Sequence, residues 1–165
     1  MQFASSVPYF KAALVARLAA TTALATGTTT VSRGNPYPKR WANEAVLVGG
    51  MSNYQQRLVG GLTQRREEYD VEITANVAGS AQDPYEDFES RAYVLAAAVE
   101  TSLTEWTRTG EILCSGAWGH AAISIPTYVS DQEGIDIDDN ATPRSRDATV
   151  RMSVHVIAVV LGYGS

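Results

Sequence analysis

Two stretches of this chain alternate apolar and polar residues with a period of two, and no other feature limits its fold as much. In residues 68–77, Tyr69, Val71, Ile73, Ala75 and Val77 alternate with Glu68, Asp70, Glu72, Thr74 and Asn76. In residues 147–160, Val150, Met152, Val154, Val156, Ala158 and Val160 alternate with Arg151, Ser153 and His155. Successive side chains of a strand point to opposite faces, so each stretch predicts a strand with one buried and one wet face. Such strands belong to antiparallel sheets covered on one side; parallel strands, covered on both, read as unbroken apolar runs.

Something must cover the apolar face, and two segments with helical spacing are available. Phe10, Leu14 and Leu18 recur every four residues, which predicts a helix over 7–24. Ser5 or Ser6 caps it and Pro8 suits its first turn, where a missing N–H costs nothing. Phe88, Ala92, Leu95, Val99, Leu103 and Trp106 step by three or four and predict a second helix over 84–106. Asp83 is its expected N-cap, with Glu86 at capping-box spacing. Residues 28–32 and the run Glu44-Ala-Val-Leu-Val-Gly49 are expected strands, 49–61 a loop or irregular hairpin arm, and 111–129 further β structure. These elements make an α+β two-layer sandwich, with two helices packed on one face of a mainly antiparallel sheet of about five or six strands. Phe88, Leu95, Val99 and Leu103 are expected against Val71, Ile73, Val154 and Val156.

The 165 residues form a single domain, 1–165, with a flexible N-terminus at 1–6 and a long acidic loop at 131–147. A chain of this size buries roughly 70% of its unfolded surface and needs no disulfide or metal to fold. Residues 12–26 are rich in Ala, Leu and Thr, but Arg17 interrupts them and only Lys11 precedes them, so neither a signal segment nor a membrane span is expected. The net charge of −5 argues against a protein whose main task is to grip a phosphate backbone. That charge is unevenly spread. Residues 1–80 hold 8 Lys and Arg against 5 Asp and Glu, whereas residues 81–165 hold 5 against 13. A subunit that meets copies of itself or unlike partners fits this asymmetry.

The sequence carries no catalytic signature. It has no phosphate-binding loop, dinucleotide fingerprint, nucleophile elbow or paired-histidine metal motif. The single cysteine, Cys114, excludes an internal disulfide, and the two histidines, His120 and His155, have no acidic residue at ligand spacing. Asp131, Glu133, Asp136, Asp138 and Asp139 place five acids in nine residues, but the calcium-loop pattern fails at Ala141, where glycine is required. They are expected to form a solvated or partner-facing loop. Arg65-Arg66-Glu67-Glu68 is expected to be a self-neutralising, solvated edge, and Trp41, in a Pro-rich loop, is a candidate interface anchor. No cofactor and no enzymatic activity is expected.

One family shares this order of elements. Val7-Pro8-Tyr9-Phe10-Lys11-Ala12-Ala13-Leu14-Val15-Ala16-Arg17-Leu18 resembles the first helix of the tail terminator (tail completion) proteins of long-tailed bacteriophages. A strand ending in Val48-Gly49-Gly50 follows, then the charged lead Arg65-Arg66-Glu67-Glu68 into the long strand, an Ala-rich helix begun by a proline, and a terminal alternating strand. The resemblance spans about 7–160 and is weakest over 126–147. It implies a virion structural protein of the tail or neck, assembled in the host cytoplasm. Such a protein forms a hexameric ring on the last ring of the major tail tube protein, stops tube growth, and offers a surface to the head–tail connector or stopper. DNA would be only a passing occupant of the channel, and no membrane is involved. On that footing Asp131, Glu133, Asp136, Asp138, Asp139, Trp41, Arg65 and Arg66 are candidate interface or lumen residues. Another neck component, a head–tail adaptor or stopper, and an unrelated non-enzymatic binding module remain the alternatives.

Overall fold

The two alternating stretches pair with each other. In a computed structural model that describes residues 5–34, 43–59, 64–109 and 119–161, Gln64–Ser80 and Pro143–Leu161 are antiparallel partners. Their register is unbroken from Gln64↔Leu161 to Ser80↔Ser145. Seventeen residues at about 3.3 Å each give a ladder about 55 Å long. The described elements are α1 (Val7–Ala19), β1 (Thr29–Arg33), β2 (Glu44–Val59), β3 (Gln64–Ser80), α2 (Tyr85–Arg108), β4 (Gly119–Ile123), β5 (Thr127–Ile137) and β6 (Pro143–Leu161).

The sheet runs β1-β2-β3-β6, and β4 and β5 share the far side of β6. All pairs are antiparallel except β1 with β2, which is parallel, so the sheet is mixed. The expected strand number and α+β class agree with this sheet, but it is not a simple two-layer sandwich. The sheet curls into a half-barrel around its helices. Long twisted strands coil when only one face is packed, and β2 adds bend through register shifts between Val48/Met51 and Ser52/Gln55. Asn53, at φ 53°, sits in the second of these bulges.

One core results. Phe10, Leu14 and Leu18 of α1 and Phe88, Ala92, Leu95, Val99, Leu103 and Trp106 of α2 are buried. They join one apolar cluster with Val46, Val48, Tyr69, Val71, Ile73, Met152, Val154 and Val156. Gly79 lets α2 come close: a Cβ there would meet the Phe88 ring at 2.7 Å. Arg17 ties the helices together, with its guanidinium 5.7 Å from the centre of the Trp106 ring and bonded to the Ser102 carbonyl at 3.3 Å.

Several expected boundaries move. Helix α1 stops at Ala19, five residues early, and Leu24 is buried from a turn beyond it. The N-cap of α2 is Pro84, in an extended conformation, and Asp83 makes no side-chain cap. Of the two readings for the segment after Gly49, a loop or an irregular hairpin arm, the second holds: it is the bulged second half of β2, held by β3 through Val59↔Gln64. The expected acidic loop 131–147 is also β structure: β5, a turn at 138–142, and the start of β6. Alternation is weak there because β5 is exposed on both faces, so no apolar stripe marks it. Strands β4 and β5 form one edge broken at Ser124-Ile125-Pro126. At that break the Ser124 hydroxyl accepts the His155 N–H at 3.1 Å and Ser124 N donates to the His155 carbonyl at 3.0 Å, which continues the ladder.

Burial predicts the response of α2 to truncation. Leu95→Ala should destabilise the chain by about 2–5 kcal/mol in chemical denaturation, as cavity-forming core substitutions do. Val94, 54% exposed on the same turn, should tolerate alanine within about 0.5 kcal/mol.

Candidate interface

Among the candidate residues, Arg65 and Arg66 were expected on a solvated edge, and the pleat splits them. Strand alternation turns Arg65 and Glu67 to the helix side, where they are 8% and 0% exposed, and leaves Arg66 and Glu68 outside. Arg65 Nη2 lies 2.6 Å from Glu67 Oε1, while Arg66 and Glu68 approach only to 3.4 Å. The other Glu67 oxygen, Oε2, accepts Ser6 N at 2.7 Å, the Ser6 hydroxyl, and the Ser5 hydroxyl at 3.2 Å. The Ser6 hydroxyl also meets the Tyr69 hydroxyl at 3.1 Å, and the Tyr69 ring packs between those of Phe10 and Tyr54. Ser6 precedes α1 without capping it by its own side chain. The 5–6 portion of the expected flexible N-terminus is therefore anchored to β3 by a buried carboxylate; residues 1–4 lie outside the described residues.

Burial pushes the Glu67 pKa up, but hydrogen bonds from the Ser6 side chain and backbone and from Tyr54, with the charge of Arg65, outweigh it. The net result is a carboxyl held below its ordinary value of 4.5. The charge balance within Arg-Arg-Glu-Glu gave no hint of this. The usable signal was position: Arg65 and Glu67 continue the odd-numbered inward face that starts at Tyr69.

The five acids do not form one patch. Asp131 and Glu133 lie opposite Val150 and Ala148, on the helix side of the sheet, and Asp136 lies opposite Ser145, on the outer side. Asp131 accepts the Tyr93 hydroxyl at 2.7 Å, and that bond pushes the Tyr93 phenol up to about 12. Glu133 pairs with Arg146 at 3.2 Å and Asp136 with Arg144 at 3.6 Å. Asp138 folds its own turn, with Oδ1 accepting the Asn140 and Thr142 N–H groups at 2.9 Å each. Asp139 is exposed beside it. Trp41 and Cys114 lie outside the described residues.

The fold supplies one cluster that local sequence did not show. His155, on the outer face of β6, sits between two carboxylates of β3, with Nδ1 2.7 Å from Asp70 Oδ1 and Nε2 3.4 Å from Glu68 Oε1. These carboxylates lie 85 and 87 residues away in sequence, so spacing along the chain gave no sign of them. The hydrogen bond to Asp70 raises the His155 pKa against a smaller opposing effect of burial, with further upward help from Glu68. Asp70 is lowered, first by the Asn53 amide at 2.7 Å and then by His155. Among the described residues no group of three His, Cys, Asp or Glu is placed to hold a metal ion, and no helix is long and apolar enough to cross a membrane. An open cleft of about 560 Å³ between α1 and α2 is lined by Arg17, Thr21, Thr101, Ser102, Glu105 and several alanines. There the Ser102 hydroxyl bonds to Thr21 Oγ1 at 2.8 Å and to Arg17 Nε at 3.4 Å.

No protein-family model matches the chain, and no curated protein matches it. Among solved structures, a chain from the virion of a native gene transfer agent (GTA) particle is similar in fold. The TM-score is 0.51, the identity 15%, and the match covers 97% of this chain and 100% of that one. At that identity the likeness is one of fold.

The Glu67 network predicts a specific acid sensitivity. A carboxyl whose folded pKa lies below its unfolded value stabilises above the unfolded pKa, and that contribution is lost as pH falls through the folded pKa. Glu67→Gln should therefore melt below wild type at pH 7, with the gap narrowing toward pH 3. Parallel melting curves across that range would contradict a depressed carboxyl at Glu67.

Proposed function

We propose that this chain is a non-enzymatic virion structural protein. It acts as the ring-forming subunit that ends a phage-type tail tube, stops its growth and presents the docking surface for the head connector. The observation that carries this reading is the fold likeness to a chain of a gene transfer agent virion, which spans nearly all of both chains. The order of elements shared with tail terminator proteins points the same way. So does the distribution of polar chemistry. Glu67, Asp138 and Asp131 serve anchoring and turn-making roles within the fold. A ring contact is heterologous, one patch against a different patch, and an uneven charge distribution supplies unlike patches.

In this reading Glu133, Asp136 and Asp139 contribute to a negative hairpin that meets a basic partner or borders the channel, where a lumen without cations leaves passing DNA unheld. Arg66 belongs to the outer sheet face, and Arg65 serves the buried network.

The test is to remove the gene from the virus or particle that encodes the chain and view the products by negative-stain electron microscopy. The proposal expects unjoined heads and tail tubes of uncontrolled length, both restored by the gene in trans. Unjoined heads beside tails of normal length would assign an adaptor or stopper role instead. Intact particles with unchanged titre would overturn any neck role.

A further inference from the structure

Four strand edges in this fold carry no strand partner among the described residues: those of the five-residue strands β1 and β4, and two longer ones, on β2 and β5, which lie on opposite sides of the sheet. The first of the longer two belongs to β2. Strand β1 pairs with β2 only from Glu44 to Val48, so the outer edge of Met51–Val59 is unpaired. Its first half is bent by the two bulges, but Gln55–Val59 runs in unbroken register with Gln64–Glu68. Gln55, Gln56, Arg57 and Leu58 are all exposed, Leu58 by 58%. The second edge is that of β5. Thr127–Ile137 bonds to β6 on one side alone, and its side chains are exposed along almost its whole length. Val129, Ile135 and Ile137 are 63%, 47% and 53% exposed.

The β3–β6 register fixes where these edges lie. The β2 segment 55–59 is opposite residues 64–68, at the end of the ladder where Gln64 meets Leu161. The hairpin end of β5 lies at the other end, where Ser80 meets Ser145 and Asp136 meets Ser145. They are also on opposite sides of the sheet, β2 beside β3 and β5 beside β6. An unpaired edge exposes a row of N–H and C=O groups that can receive another strand. Natural chains protect such edges unless they use them, and exposed apolar side chains do the reverse.

Charge selects the occupant. Residues 51–59 carry one charge, Arg57, and residues 127–137 carry three, Asp131, Glu133 and Asp136, with no base. Pairing β5 with β5 would set carboxylates against carboxylates, and pairing β2 with β2 would set Arg57 against Arg57. Like charges directly opposite are destabilising and opposite ones stabilising, so only the crossed pair is attractive. Arg144 and Arg146 of β6 pair with Asp136 and Glu133 within the subunit, at 3.6 and 3.2 Å.

We infer that the β5 edge of one copy accepts the β2 edge around Gln55–Val59 of the next copy, extending the sheet from subunit to subunit. Each copy offers one edge of each kind at opposite corners, so the contact is heterologous and head-to-tail, the type that closes into a ring when the rotation permits. The apolar groups Leu58, Val129 and Ile135 are covered in the process. This inference rests on the ring reading above and names its contact.

The test uses the full chain with Cys114 replaced by serine. Variants carrying L58C or I135C are prepared separately, mixed, allowed to assemble, and treated with a short flexible bis-maleimide. Native mass spectrometry records the oligomer first. The expected result is a covalent dimer in the mixture, with little in either variant alone. Leu58→Asp and Ile135→Asp should each abolish the oligomer without lowering the melting temperature, since both sites are exposed. R57E should weaken it at low salt and be less harmful at high salt. An oligomer that forms but neither cross-links between 58 and 135 nor responds to these substitutions would overturn the edge contact and leave the ring reading standing. Cross-linking of 135 to 135 would replace it with a twofold contact. A chain that stays monomeric at every concentration would overturn both.

Discussion

The β3–β6 ladder is the constraint on which the rest of the fold depends. It is the longest unbroken pairing among the described residues, and its inward face supplies the floor on which both helices lie. Because the side-chain period is two, a slip of one residue would turn Val71, Ile73, Val154 and Val156 outward and bring Glu72, Arg151 and His155 under the helices. The same register carries Glu67 inward to Ser6 and sets His155 beside Asp70 on the outside. A buried ion pair alone is weak support, since desolvation offsets much of its attraction. At Glu67 the second oxygen is also satisfied by serine donors, and that converts a costly buried charge into an anchor for the start of α1.

Sequence made the central part of this fold legible and left its margins obscure, for one physical reason. Burial of one face writes a period into the sequence, and where nothing is buried no period exists. Residues 69–77, 88–106 and 150–160 therefore announced themselves. The second half of β2 and all of β5 did not, because, apart from Tyr54 and Tyr128, which pack on Tyr69 and Tyr93, their side chains are mostly exposed on both faces. Asp131 to Asp139 consequently resembled a loop, although Asp138 is the only one of them that builds the turn. Arg65 and Glu67 misled differently. Their opposite charges suggested mutual neutralisation in water, but the pleat made them inward-facing neighbours on one face.

Those two obscure margins are also the exposed margins. An isolated domain gains little from nine residues of bulged edge strand at one corner and eleven of exposed strand at the other. In the proposed ring a subunit would gain adhesive edges from them, with their opposite net charges selecting which edge meets which. In that proposal the core is the block, and the arms are how blocks join. Function in this account resides in backbone edges and their flanking charges.

Hydrogen exchange compared between the isolated and the assembled chain tests this division most directly. The slowest amides in both states should be those of β3 and β6, which are paired on both sides along the covered part of the sheet. Assembly should add protection at two places, the outer amides within 51–59 and those within 127–137, and leave the exposed face of α2 unchanged. Added protection on α2, or edge strands already fully protected in the isolated chain, would contradict the account.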